Sequence, residues 1–136
     1  MKPKAWIVDI DGTLALLGDR SPFNMAQVHR DKPNEPVVAV VRALSRDFKI
    51  VLVSGRDERS RGATEAWMKH WNVPFDALYM RRDKDFRPDE VVKAQILERD
   101  LLPAYDIIGV IDDRQKVVDM WRARGLTCLQ VAPGDF

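Results

Sequence analysis

The chain has 136 residues, 46% of them hydrophobic, with 22 Lys or Arg against 21 Asp or Glu and a net charge of +1. That length predicts one domain spanning 1–136 with a real core, and the even balance excludes a bulk polycation, so any attraction to phosphate has to come from local clusters. The lone Cys128, in an apolar run, excludes an internal disulfide and a cysteine-built zinc site; with no stretch near the ~18 apolar residues of a membrane span and no leader with a cleavage site, a soluble, cytoplasmic protein with no membrane association is expected.

Ala5-Trp6-Ile7-Val8 is an apolar run that ends abruptly in Asp9-Ile10-Asp11-Gly12-Thr13. It predicts a buried strand with chemistry at its tip, where alternation puts Asp9 and Asp11 on the same side and Gly12 lets the backbone turn closely around a bound group. Adjacent carboxylates repel, so keeping both ionised at neutral pH calls for a cation, and hard oxygen ligands favour Mg²⁺. One carboxylate is then available to attack and the other to carry a proton. By itself the segment also reads as an ordinary Asp-Gly turn after a strand.

Residues 14 to 34 show no sustained period and predict a loop or small flap over the site. Asn34-Glu35-Pro36 opens a helix with a capping residue, an acid and a first-turn proline; Val37, Val40, Val41 and Leu44 give it an inward stripe, and it ends near Asp47. Lys49 to Val53 is a second buried strand that stops at the polar turn Ser54-Gly55-Arg56. After a charged loop, a helix from about Ala63 to Trp71 carries Trp67 and Trp71 one turn apart, a pair expected to pack on the sheet rather than stack on bases. A short third strand, Asp76 to Met80, leads into the mixed-charge loop Arg81 to Asp85. Pro88 to Leu102 predicts a helix with Val91, Val92, Ile96 and Leu97 inward, which carries Lys93. Asp106 to Ile111 is a fourth strand ending in Asp112-Asp113-Arg114; a helix over Gln115 to Arg124 stops at Gly125, and Leu126 to Ala132 is the fifth strand. Strands alternating with helices predict an α/β, doubly wound, Rossmann-like five-stranded parallel sheet. In such sheets ligands bind beyond the carboxyl ends of the strands, where Asp9, Asp11, Ser54, Asp112 and Asp113 all fall.

The set Asp9-x-Asp11-Gly12-Thr13, Ser54 after the second strand, Lys93 on a later helix and Asp112-Asp113 after the fourth resembles the four motifs of the haloacid dehalogenase superfamily of phosphotransferases. The resemblance implies that Asp9 attacks phosphorus to form an aspartyl-phosphate while Asp11 protonates the leaving oxygen and then activates water. It further implies that Ser54 and Lys93 hold a phosphoryl oxygen and that Asp9, the Asp11 carbonyl, Asp112 and Asp113 surround Mg²⁺, Asp113 directly or from behind Asp112. A closer likeness, carried by Lys2 to Ala5, Gly18 to Phe23, Ser54-Gly55-Arg56, Asp89 to Lys93, Ile111 to Arg114 and Gln130 to Phe136, is to the 3′-phosphatase domain of bacteriophage polynucleotide kinase-phosphatase. That family removes phosphate from 3′ ends of DNA and RNA and can process 2′,3′-cyclic phosphate ends, a role in nucleic acid repair; a phage-encoded member would work in the host cytoplasm. By this likeness Arg20 and Arg56 contact the substrate phosphate or the next one along, Gly55 and Arg114 line the substrate, and Asp89 orients Lys93 or Arg56.

No Gly-Lys pair occurs, so the phosphate-binding loop of the kinase half is missing and 5′ phosphorylation is not expected. Neither insertion point has room for a cap domain, and an open site admits a polymer end. Arg56, Arg59, Arg61, Arg81 and Arg82 leave the second and third strands on the same side and could track a nucleic-acid backbone, although Asp57, Glu58, Asp83 and Asp85 interrupt them. Small capless relatives also close their sites by forming homo-oligomers. The competing readings are a nucleotidase for free nucleotides and a non-catalytic module that binds ends and recruits a partner.

Overall fold

The computed structural model describes residues 1–17 and 31–136. In chain order its elements are β1 (Lys4–Val8), a ribbon of β2 (Ala15–Leu16) and β3 (Lys32–Pro33), α1 (Glu35–Leu44), β4 (Lys49–Asp57), α2 (Arg61–His70), β5 (Ala77–Arg81), α3 (Asp89–Ile96), β6 (Asp106–Arg114), α4 (Gln115–Ala123) and β7 (Cys128–Gly134). The five long strands form one parallel sheet in the order β5-β4-β1-β6-β7. Chain order runs from β1 to one edge and then returns to build the other, so the crevice of this doubly wound sheet opens at the carboxyl end of β1, between β4 and β6.

Alternation sorts the apolar residues onto two faces. Ala5 and Ile7 of β1, Val51 and Val53 of β4 and Val110 of β6 pack with Val92 and Ile96 of α3 and Val117 and Trp121 of α4. Val8, Ile50, Leu52 and Ile111 pack on the other face with Val37, Val38 and Val41 of α1 and Trp67 and Met68 of α2. Helices cover both faces, which is why the strands are apolar throughout rather than alternating with polar residues.

Several boundaries differ from the sequence expectation. The segments Ser54-Gly55-Arg56 and Asp112-Asp113-Arg114 are not turns beyond the strands; β4 and β6 continue through them, with register shifts between Ser54 and Asp57 and between Asp112 and Arg114. The third helix is regular only to Ile96, after which Leu97–Leu101 widens into a π turn. Val40 and Val91, expected inside, are 46% and 42% exposed, because the buried stripes run through Val37, Val38 and Val41 and through Val92, Lys93 and Ile96. The expected capping residue Asn34 makes no side-chain cap; its amide donates to the Thr13 carbonyl at 3.0 Å and ties α1 to the loop after β1. Trp67 is buried with its indole N–H on the Asp31 carbonyl at 2.9 Å, and its ring lies 6.5 Å from that of Trp71, so the pair packs as expected. Residues 14 to 34 contribute the β2–β3 ribbon where described, and among the described residues no cap domain is inserted and no helix is long and apolar enough to cross a membrane.

Candidate active site

The odd-numbered side chains of β1 face α3 and α4, and Asp9, one residue past the strand, meets partners from both β6 and α3. Lys93 reaches in from α3 with its Nζ 2.7 Å from Asp9 Oδ1 and 3.2 Å from Asp112 Oδ2. Asp9, Asp112 and Asp113 are all buried, and one carboxylate oxygen of each lies within 4.8 Å of the others. Thr13 Oγ1 sits 3.1 Å from Asp9 Oδ2 and 3.2 Å from Asp113 Oδ1, so its single proton serves one at a time. Asp112 is held by three donors: Lys93, its neighbour's backbone N–H at 2.8 Å and the Trp121 indole N–H at 3.1 Å. Gly12, at φ +82°, brings the backbone so close that a side chain there would strike the Asp113 carboxylate.

Burial, then the nearby Asp112 charge, pushes the Asp9 carboxyl well above the ordinary carboxylate range, with Lys93 opposing. Burial raises Asp113 in the same sense, against the hydrogen bonds and charge that favour its ionised form. For Lys93 burial works to lower the value, but Asp112 and Asp9 outweigh it and hold the ammonium protonated well above its usual range. Among the described residues, the three buried carboxylates have one ammonium beside them, which pairs with Asp9 and Asp112. The uncompensated negative charge and the all-oxygen donor set fit a hard divalent cation.

The Asp11 carboxylate is not part of this group of three, although Asp11 lines the same cavity as Asp9. β1 stops at Val8, so alternation no longer governs position 11. Arg56 clamps Asp11 by both oxygens, Nε to Oδ2 at 2.9 Å and Nη2 to Oδ1 at 2.6 Å. The Arg56 side chain is 2% exposed and also donates to Asp31 and to Thr64 of α2, whereas Asp11 is 45% exposed and lines the cavity. Arg56 lines the cavity as well, while four of its guanidinium hydrogen bonds go to the Asp11 and Asp31 carboxylates and the Thr64 hydroxyl. Ser54 is buried, and its Oγ accepts the Arg56 backbone N–H at 3.0 Å.

Asp89 departs from expectation. It accepts from Arg81 and, at 2.9 Å, from Arg114 rather than from Lys93 or Arg56, because Lys93 turns inward while Asp89 stays on the first turn of α3 near the surface. Gly55 is what allows Asp89 so close; a Cβ there would lie 2.7 Å from Asp89 Oδ1. Arg114 bridges Asp89 to the Phe136 carbonyl, at 2.9 Å, with its guanidinium 5.1 Å above the Phe136 ring. Arg20 lies outside the described residues.

Asp9, Asp11, Lys93, Asp112 and Asp113 line a cavity of about 1110 Å³ that also takes in Gly55, Arg56, Asp89, Arg114 and the loop after β5. Of the basic residues expected at its rim, Arg59 pairs with Asp57 and Asp83, Arg61 with Glu58 and Glu65, and Arg81 is turned onto the carbonyls of Gly55, Asp85 and Arg87. Sequence reasoning gave no role to Thr13, Trp121 or the bracing by Arg81. Thr13 stood inside the first motif; nothing in the sequence pointed to the other two, whose partners lie on other elements.

The family profile described as the phosphatase domain of polynucleotide kinase PNKP matches residues 3–136. A protein of Autographa californica nuclear polyhedrosis virus, described as a bifunctional polynucleotide kinase/RNA ligase, is 32% identical over 124 residues, which are 88% of this chain and 18% of the viral one. Two solved chains, from a Pnkp1/Rnl/Hen1 RNA repair complex and a Pnkp1/Rnl/Hen1 complex, superpose with TM-scores of 0.95 at 38% and 39% identity. They cover 99% of this chain, which spans 44% and 48% of theirs. A hydrolase from Streptococcus pneumoniae TIGR4, 15% identical with a TM-score of 0.61 over 96% of this chain and 94% of its own, shares the fold.

Proposed function

Because the chain belongs to the polynucleotide kinase phosphatase-domain family, within the haloacid dehalogenase-like hydrolases, we propose that it removes phosphate from the 3′ ends of DNA or RNA with Mg²⁺ as cofactor. The observation that carries this reading is the separation of two carboxylates in one cavity: Asp9 in the buried cluster beside Lys93, and Asp11 held apart by Arg56. In this reading Asp9 is the nucleophile and Asp11 the acid–base group.

An Asp9 carboxylate oxygen attacks phosphorus as the bond from phosphorus to the 3′-oxygen breaks, and that oxygen takes a proton from Asp11. Water then attacks the aspartyl-phosphate, giving its proton to Asp11, and phosphate leaves with Asp9 restored. Ser54 and Lys93 bind the phosphoryl oxygens, Lys93 also offsetting the charge of Asp9, and Arg114 and Gly55 shape the wall beside the strand end. Asp9, Asp112, Asp113 and the Asp11 carbonyl would hold Mg²⁺, which when bound supplies positive charge against the developing phosphoryl charge. The same chemistry opens no path to 5′ phosphorylation.

The test is phosphate release, with Mg²⁺ and with chelator, from an oligonucleotide phosphorylated at its 3′ end, the same one phosphorylated at its 5′ end, and a 3′-mononucleotide. Metal-dependent release with clear preference for the 3′-oligonucleotide, abolished in Asp9→Asn, is the expected outcome. Equal or better release from the mononucleotide supports a nucleotidase instead, and activity surviving in Asp9→Asn removes the covalent intermediate.

A further inference from the structure

The loop between β5 and α3 carries an aromatic side chain that neither the core nor the chemistry explains. Phe86 is 90% exposed and lines the same cavity as Asp9 and Asp11. Scattered surface apolar groups are ordinary, but a whole phenyl ring on the wall of a catalytic cavity is not. Nor is its presentation loose. Arg81 Nη1 donates to the carbonyls of both neighbours, Asp85 at 2.8 Å and Arg87 at 2.5 Å. Arg87 in turn donates to the Asp85 carboxylate and, at 2.5 Å, to Gln95 of α3. Lys84 turns the chain at φ 62° one residue before Asp85. The loop is thus fastened on both sides of Phe86 while the ring itself is left in solvent.

The charges beside the ring point to its occupant. Arg82 and Lys84 are exposed and line the cavity, and among the described residues their side chains have no hydrogen-bond or ion-pair partner, unlike those of Arg59, Arg81 and Arg87. Unspent cations next to an unspent aromatic face suit a strand that offers phosphates and π-faces at regular intervals. The cavity also holds far more than a phosphoryl group requires. Resting on the end-phosphatase reading, we propose that Phe86 is a stacking platform for a nucleobase at the 3′ end of the substrate strand, with Arg82 and Lys84 against its backbone. Phe86 would then make the enzyme select a polynucleotide end over other phosphomonoesters.

The experiment compares two 3′-phosphorylated oligonucleotides, identical except that in one the terminal nucleotide is abasic, on the unaltered protein, Phe86→Ala and Phe86→Trp. Expected is a preference for the base-bearing end of about tenfold in kcat/KM, in the lower part of the range for base–aromatic stacking. In Phe86→Ala that preference falls close to one, through KM, and Phe86→Trp restores it. In the Asp9→Asn background, a terminal 2-aminopurine is quenched on binding when Phe86 is present and not in Phe86→Ala. A preference that survives in Phe86→Ala, a fall in kcat shared by both substrates, or a changed oligomeric state of Phe86→Ala in sedimentation overturns the stacking role. Release from both oligonucleotides by the unaltered protein with no base preference overturns stacking alone; release from neither overturns the end-phosphatase reading beneath it.

Discussion

Arg56 is the residue to whose expected surroundings the tertiary structure adds most, a two-point contact with Asp11. A guanidinium fork matches both oxygens of a carboxylate, which an ammonium cannot do. Arg56→Lys keeps the charge on a slightly shorter side chain but gives up the two-point hold on Asp11. If Arg56 acts by aiming Asp11, kcat falls about 10²-fold while KM changes little, since a displacement of the order of an ångström at an acid–base group costs that much. Steady-state kinetics on the 3′-phosphorylated oligonucleotide checks this, and a raised KM with kcat preserved would return Arg56 to the phosphate contact that the family resemblance implies. Resemblance could name Arg56 as functional. It could not give its direction, because the strand irregularity between Ser54 and Asp57 breaks the period-2 rule at that position.

At the scale of elements, the pairing of β1 with β6 rests on a close approach. Trp6 sits opposite Gly109, and a Cβ on Gly109 would lie 2.4 Å from the far edge of the indole ring. Glycine in a strand interior is otherwise a weak choice, and alanine there would ordinarily stabilise. Here Gly109→Ala is expected to destabilise by about 1–3 kcal/mol, as overpacking does. A urea denaturation midpoint measures the loss. Trimming the ring in Trp6→Leu/Gly109→Ala should recover part of it, and full additivity of the two changes would show that the clash is not the cause. The alternation of apolar strands and helices was legible in the sequence because burial on both faces demands it. Element ends were not legible: β4 and β6 run on through polar residues, since the ladder to their neighbours continues although the hydrophobic pattern has stopped.

For the molecule as a whole, the burial of Asp9, Asp112 and Asp113 around Lys93 couples folding to pH and, under the proposed function, to metal. The Asp9 carboxyl is raised well above its reference value of 3.8, so between that pH and its folded value the native state binds the extra proton. Without metal, its contribution to stability is complete below the unfolded value and is lost as pH rises through the folded one. If the proposed Mg²⁺ binds at this cluster, it competes with that proton and stabilises by mass action, about 2.7 kcal/mol at a hundredfold excess over Kd. The rise in Tm on adding Mg²⁺ is therefore larger at pH 8 than at pH 5.5, and calorimetry showing an equal rise at both would mean that the carboxylate cluster is not the binding site.

The sequence by itself determined the sheet, its doubly wound class and the gathering of Asp9, Ser54, Asp112 and Asp113 at one end, because apolar periodicity and strand order fix where each strand ends in space. It also pointed to Lys93, through the likeness of its motif to a known family. Only the tertiary structure decided which groups those residues touch. Arg56 donates to Asp11 and Thr64, Asp89 is taken by Arg81 and Arg114, and Trp121 supports Asp112 from a helix later in the chain. Periodicity reports which face of an element is buried. Where a strand is irregular or a loop folds back, the direction of a side chain is set by whichever charge or donor another element brings within reach, and that depends on contacts far apart in sequence.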